Sequence, residues 1–246
     1  LTDAYQDLLR HQRTLNAYNK LTEDDVKPLL QTITNSKAIE ILDGDATQLR
    51  LRITAPLQFF TPSDFETYEN NPNSVYNLQY ADPTVKQILH KIFVTREYSL
   101  LLQSIIKIEI NTSRYNSEVL SFNAQRNNLN DFTDLPNSHL YKHNCWSQAL
   151  TEIRKNILAG NYELVVTQMI AATQSVNVAE YASFINGLLL YFKEEEMLKK
   201  IHIIDNSTKQ IYTWKELLKH EIKEELVQKQ EEQQGYQQVV LQDEGL

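Results

Sequence analysis

The chain has 246 residues, 41% of them hydrophobic and 23% charged, which is the composition of a globular protein with one sizeable core or two modest ones. Only five residues are glycine, so the sequence contains no glycine-rich phosphate-binding loop, and its single cysteine, Cys145, excludes an internal disulfide. The net charge of −8 argues against nucleic acid as a partner, because clustered Lys and Arg supply most of that affinity.

The N-terminal half is predicted to combine helices with two β-hairpins. Apolar residues at helical spacing indicate the helices, which cover residues 2–20, a segment around Pro28 and a segment that begins at Asp82-Pro83. The first hairpin turns at Asp43-Gly44-Asp45-Ala46, because apolar and charged residues alternate strictly from Leu49 to Ile53. The second hairpin joins residues 106–110 to residues 115–122, and a long loop is expected between residues 61 and 81.

The C-terminal half is predicted to be mostly helical. Its first three helices cover residues 146–159, 162–174 and 178–199. Gly160 is expected to end the first of them, and the wide apolar face of the third predicts a helical bundle. A short third hairpin follows over residues 201–212, and Thr213 is expected to cap a last helix. The apolar residues of that helix are predicted to share one face: Trp214, Leu217, Leu218, Ile222 and Leu226.

The predicted fold class is therefore α+β and mainly α, with amphipathic helices that form a bundle beside two or three β-hairpins. Residues 126–145 are rich in Asn, Asp and Ser and are predicted to be a linker or surface loop. They divide a mixed helix and hairpin subdomain, residues 1–125, from a helical subdomain with a short hairpin, residues 146–227. Residues 228–246 are predicted to be a polar, acidic tail.

Arg50 and Arg52 are the candidate interaction residues of the first hairpin. Because side chains alternate along a strand, both arginines should face solvent or a partner while Leu49 and Leu51 face the core. An aromatic and basic nucleic-acid surface is an alternative interpretation, which the acidic net charge disfavours. Its aromatic members would be Tyr68, Tyr76 and Tyr80.

No catalytic, cofactor-binding or metal-binding residue is predicted. His139, His143 and Cys145 have the chemistry of zinc ligands, but a structural zinc site normally has four, and surface histidines beside a buried cysteine are favoured instead. Asp43 and Asp45 resemble the opening of a calcium loop, but a hairpin turn explains both residues. A metal-dependent hydrolase or nuclease is the enzymatic alternative, and its carboxylates would be Glu40, Asp43, Asp45 and Glu109.

The tail leads to the functional prediction. Residues 228–246 hold four acids and few large apolar groups, so they should need outside contacts to become ordered. Val239, Val240 and Leu241 are the expected anchors. We predict a non-enzymatic structural or interaction subunit of a multi-protein assembly, for which a viral or phage particle is one suitable setting, and a nucleic-acid-associated regulator is a further alternative. Protein partners or a homo-oligomer are expected, without a cofactor or a membrane, in the cytoplasm or in a particle assembled inside a cell.

Overall fold

The computed structural model describes residues 27–45, 47–58, 65, 70–71, 83–110, 120–123, 129–137, 146–175, 198–223 and 226–227. The chain divides into two compact units, each built from two separate segments. The first unit comprises residues 1–61 and 100–188, and the second comprises residues 62–99 and 189–246. Much of the predicted linker and all of the predicted tail lie outside the described residues, so the predicted domain boundaries stay a prediction.

Helices are interspersed with groups of strands along the described part of the chain. The helices are α1 (Lys27–Asn35), α2 (Pro83–Phe93), α3 (Ser147–Leu158), α4 (Tyr162–Thr173) and α5 (residues 214–223), with a short 3-10 helix at Leu129–Asp131. The strands are β1 (Ile39–Gly44), β2 (Gln48–Pro56), β3 (Tyr98–Ile110), β4 (Leu120–Asn123), β5 (Leu135–Pro136), β6 (His202–Asp205) and β7 (Ile211–Thr213).

The first unit is built on a sheet in which β2 and β3 are the interior strands. β1 and β3 flank β2 and run antiparallel to it, and β3 also pairs with β4 in antiparallel and with β5 in parallel orientation. The predicted alternation in β2 is confirmed, because Leu49, Leu51 and Ile53 are buried while the residues between them are partly exposed. The first two predicted hairpins are confirmed as β1–β2 and β3–β4, although residues 111–119 lie outside the described ranges.

Three helices cover one face of this sheet. α1 packs on β1 and on α4, α4 packs on β2, and α3 packs on α4 and on β4. The core joins these layers through buried aliphatic side chains, including Leu30 and Ile33 of α1, Leu51 of β2, Ile153 of α3 and Met169 of α4. The unit is thus a helix layer on a sheet layer, one of the standard ways to bury the apolar faces of both.

The prediction of a mainly α fold built around a helical bundle is wrong. The described residues form a roughly balanced α+β fold with no helical bundle among them, and α3 and α4 form a helical hairpin that packs on the sheet. The third helix of the predicted bundle, residues 178–199, lies almost entirely outside the described residues. The error has a simple cause, because helical periodicity indicates an apolar face without indicating whether a helix or a sheet covers it.

Gly160 ends α3 as the sequence predicts. Its φ is +72°, in the left-handed region that glycine adopts without a Cβ penalty. The Gly160 amide donates to the Ile157 carbonyl at 3.1 Å, and the Asn161 amide donates to the Asn156 carbonyl at 2.9 Å. These two bonds form a Schellman motif, which satisfies carbonyls at the end of α3 and turns the chain directly into α4.

The second unit contains α2, the predicted third hairpin and α5. The hairpin is confirmed as β6–β7, and the rings of Phe65 and Phe93 stack with their centroids 4.9 Å apart. Thr213 caps α5 as predicted: its hydroxyl accepts a hydrogen bond from the Glu216 amide at 3.3 Å, while the Glu216 carboxylate accepts one from the Thr213 amide at 2.8 Å. This reciprocal capping box also lowers the pKa of Glu216, chiefly through the Thr213 amide.

Two hairpins close their turns with an aspartate side chain. In the β1–β2 turn, Asp45 Oδ1 accepts hydrogen bonds from the amide and hydroxyl of Thr47, both at 2.7 Å. In the β6–β7 turn, Asp205 Oδ1 accepts the same pair of bonds from Ser207, also at 2.7 Å. These bonds lower the pKa of both aspartates, and the pKa of Asp205 falls to about 2. Asp45 is therefore a turn residue, as its sequence context predicts.

Candidate functional site

Arg50 and Arg52 lie on the face of β2 that points away from the helices. The strand register places Asp43 beside Arg50 and Glu40 beside Arg52. Arg50 Nη1 is 3.0 Å from Asp43 Oδ2, and Arg52 Nη1 is 2.9 Å from Glu40 Oε2. Both arginines are therefore ion-paired within the first hairpin, with the Arg50 side chain 34% exposed and that of Arg52 only 16%.

The segment 129–137 forms one wall beside these arginines. Arg52 Nη2 donates to the Asp131 carbonyl at 2.9 Å, and Arg50 Nη2 lies 3.9 Å from the Asp131 carboxylate. An open cavity of about 600 Å³ lies between the strands and this segment. It is lined by Glu40, Leu42, Arg50, Arg52, Asn130, Asp131 and Thr133. Because acids and bases line it together, an anionic ligand would have to compete with carboxylates for both guanidinium groups.

Gln103 holds this wall against the sheet. Its side chain is buried, and its amide nitrogen donates to the hydroxyls of Thr54 at 3.0 Å and Thr133 at 2.9 Å, and to the Asp134 carboxylate. Its amide oxygen accepts from the backbone amides of Thr133 and Asp134 at 3.0 and 3.1 Å. Sequence patterns did not indicate this role, because a single glutamine in a strand does not identify its distant partners.

The carboxylates of the hydrolase alternative do not form a common site in the described residues. β2 and β3 do pair, as that alternative required. However, Asp43 and Glu40 contact arginines, Asp45 accepts bonds within its turn, and Glu109 Oε1 lies 3.3 Å from Lys107 Nζ. Across the described ranges, no three or more His, Cys, Asp or Glu residues are grouped so as to hold a metal ion.

A second candidate surface lies on α5 and the helical residues at its C-terminal side. Trp214 and Leu217 are buried, but Ile222, Leu226 and Val227 are 44%, 57% and 44% exposed. The predicted single apolar face is therefore split into a buried part and an exposed part. We call the exposed residues Ile222, Leu226 and Val227 the apolar patch.

A buried ion pair determines which face of α5 points inward. Glu221, next to Ile222, has only 2% of its side chain exposed, and its Oε2 lies 2.7 Å from Lys91 Nζ of α2. The Tyr98 hydroxyl donates to Glu221 Oε1 at 2.7 Å, and Lys91 Nζ lies 5.7 Å from the centroid of the Tyr98 ring. Because consecutive helix residues differ by about 100° in direction, an inward Glu221 turns Ile222 away from the core.

Three exposed lysines border the apolar patch. Lys215, Lys219 and Lys223 recur every fourth residue of α5, so they form a row along one side of the helix. Within α5, Lys219 precedes Ile222 by three residues. Positions three apart are neighbours on a helix surface, so apolar and cationic groups adjoin here. We call these three residues the lysine row.

Several predicted site residues lie outside the described residues. They are the tail anchors Val239, Val240 and Leu241, the histidines His139 and His143 with Cys145, and the tyrosines Tyr68, Tyr76 and Tyr80. The roles assigned to all of them stay predictions.

Comparison with known proteins assigns no family to this fold or to either surface. No protein-family model, no curated protein and no solved structure matches the chain. Of the helices in the described residues, none combines the length and the apolar content needed to cross a bilayer.

Proposed function

We propose that the protein is a non-enzymatic subunit of a multi-protein assembly, and that the apolar patch on the C-terminal side of α5 is its main contact surface. The patch supports the proposal because three apolar side chains, each 44% or more exposed, occur within six residues at the C-terminal side of α5. Covering such side chains releases roughly 25 cal/mol for each Å² removed from water. Exposed apolar side chains that are close together favour an interaction site, whereas singly scattered ones need no explanation.

The contacts that fix the position of α5 suit a docking role for the apolar patch. The Thr213–Glu216 capping box holds the start of α5, and the Glu221 ion pair with Lys91 holds its rotation. A partner would therefore meet side chains that are already positioned, which lowers the entropic cost of binding.

The nucleic-acid and hydrolase alternatives have less support. Binding a phosphate at Arg50 or Arg52 would require breaking an existing ion pair to Asp43 or Glu40. The particle setting and the cellular compartment of the assembly stay predictions.

Self-association of the full chain tests the proposal. The mass in solution should rise with protein concentration for the wild type, and Leu226→Asp should keep the chain monomeric, because a charge would have to be buried in the contact. Leu158→Asp is the matched control, since Leu158 is 59% exposed and Leu226 is 57% exposed. That control should associate like the wild type, with circular dichroism confirming that both variants fold.

Two results would count against the proposal. A Leu226→Asp variant that associates as strongly as the wild type would refute the apolar patch as the contact surface. A wild-type chain that stays monomeric at every concentration would refute self-association as the form of the assembly.

A further inference from the structure

We propose that the apolar patch and the lysine row bind the acidic tail, residues 228–246, of a second copy of this chain. The inference rests on the proposed function and identifies the partner of that same surface. Two observations lead to it: the chemistry of the α5 surface and the composition of the 19 residues that follow Val227.

The charges and apolar groups of the two segments are complementary. The α5 surface presents the lysine row beside the apolar patch. The tail carries four acids and one base, Lys229, for a net charge of −3, together with one cluster of apolar residues. The acids are Glu231, Glu232, Asp243 and Glu244, and the apolar cluster is Val239-Val240-Leu241. Asp243 and Glu244 follow this cluster closely, so one short segment offers apolar and acidic groups together.

The lengths of the two segments also agree. Lys215 and Lys223 are eight residues apart, which corresponds to about 12 Å along a helix. The six residues from Val239 to Glu244 reach at most about 20 Å when extended. This part of the tail is therefore long enough to place its acids near the lysine row while its apolar residues contact the patch.

Reciprocal exchange of tails between two copies would cover the α5 surface of each copy. In a two-fold dimer each copy gives its tail and receives the other, so the contact is made twice. Once the first contact has formed, the second forms within the complex, which raises the overall affinity without a new type of contact. A tail that folds back on its own helix would make one contact and leave a monomer.

Two full-length variants with reversed charges test the inference. The acidic-helix variant carries Lys215→Glu, Lys219→Glu and Lys223→Glu. The basic-tail variant carries lysine in place of the four tail acids. Each variant alone juxtaposes like charges and should associate at least tenfold more weakly than the wild type at low salt.

An equimolar mixture of the two variants should restore association as a heterodimer, measured by light scattering, because the tail of each copy again meets the opposite charge. Lys155→Glu is the matched control, since the Lys155 side chain on α3 is 74% exposed, and it should behave as the wild type. Glutamine at the three lysine positions of α5 removes charge without adding repulsion, and should weaken association less than glutamate does.

Three results would overturn the inference. Variants that each associate like the wild type would exclude the lysine row and tail as contacts, while a monomeric Leu226→Asp would leave the proposed function standing. Two weakened variants whose mixture stays monomeric would exclude exchange between copies. A monomeric wild type whose tail amides resist hydrogen exchange would show fold-back within one chain, and would overturn the proposed function as well.

Discussion

Lys91 and Glu221 contribute unequally to the ion pair that orients α5, and Lys91→Met should be the more damaging change. The Glu221 carboxylate accepts two hydrogen bonds from Lys91 Nζ, at 3.0 and 2.7 Å, and one from the Tyr98 hydroxyl at 2.7 Å. Methionine keeps the length and apolar stem of lysine but leaves a carboxylate that is 2% exposed with Tyr98 as its one hydrogen-bond donor among the described residues. Breaking a buried pair costs about 3–5 kcal/mol, and we expect about 3 because Lys91 is itself 18% exposed.

Glu221→Gln changes the other partner of the ion pair and should be less damaging than Lys91→Met. Lys91 Nζ also lies 3.8 Å from the Glu97 carboxylate, so after this change the ammonium group can turn toward Glu97 or water. The glutamine still accepts a bond from Tyr98, and we expect a cost of about 1–2 kcal/mol. Urea unfolding of the full chain gives both free energies, and hydrogen exchange over residues 214–223 shows whether the loss is centred on α5. Equal costs, or a smaller cost for Lys91→Met, would contradict this account of the buried carboxylate.

The remaining predictions concern the first unit and the β6–β7 turn. Gln103→Leu should cost about 1–3 kcal/mol in urea unfolding and speed hydrogen exchange first in residues 129–137, because two backbone amides lose their acceptor. Gly160→Ala should cost about 1 kcal/mol from the left-handed backbone alone, since beyond its chain neighbours no atom of the described residues lies within 4 Å of the added Cβ, and thermal unfolding would detect it. Because the pKa of Asp205 is lowered from 3.8 to about 2, its stabilisation is complete above about pH 4 and is lost as the pH falls through 2. Asp205→Asn should therefore flatten the fall of the urea midpoint between pH 4 and pH 2.

The hairpins could be predicted from the sequence because their signals are local. A period of two from Leu49 to Ile53 and a turn built by Asp45 need no information about the rest of the chain. The ion-pair partners of the two arginines also follow from the hairpin register. It places Asp43 opposite Arg50 and Glu40 opposite Arg52. The pairing of β5 with β3 could not be predicted, because it depends on Gln103 reaching residues 30 positions away.

The α5 surface also shows that local sequence patterns do not reveal contacts between distant residues. Periodicity placed Trp214, Leu217, Ile222 and Leu226 on one apolar face, but the structure buries only the first two of them. The face is divided because Glu221 is directed into the unit by Lys91, and a charged residue is expected to be exposed unless its partner is known. The partner is 130 positions away in the sequence, so no local pattern reveals it.

The two-segment construction of each unit has a consequence for synthesis on the ribosome. When residue 99 has been made, the nascent chain contains one segment of each unit and the whole of neither. The other segment of the second unit begins at residue 189, about 90 residues later, which at roughly 5–20 residues per second is a delay of about 5–18 s. Throughout that interval α2 has been made and α5 has not. Lys91 therefore lacks the Glu221 carboxylate with which it pairs in the folded unit.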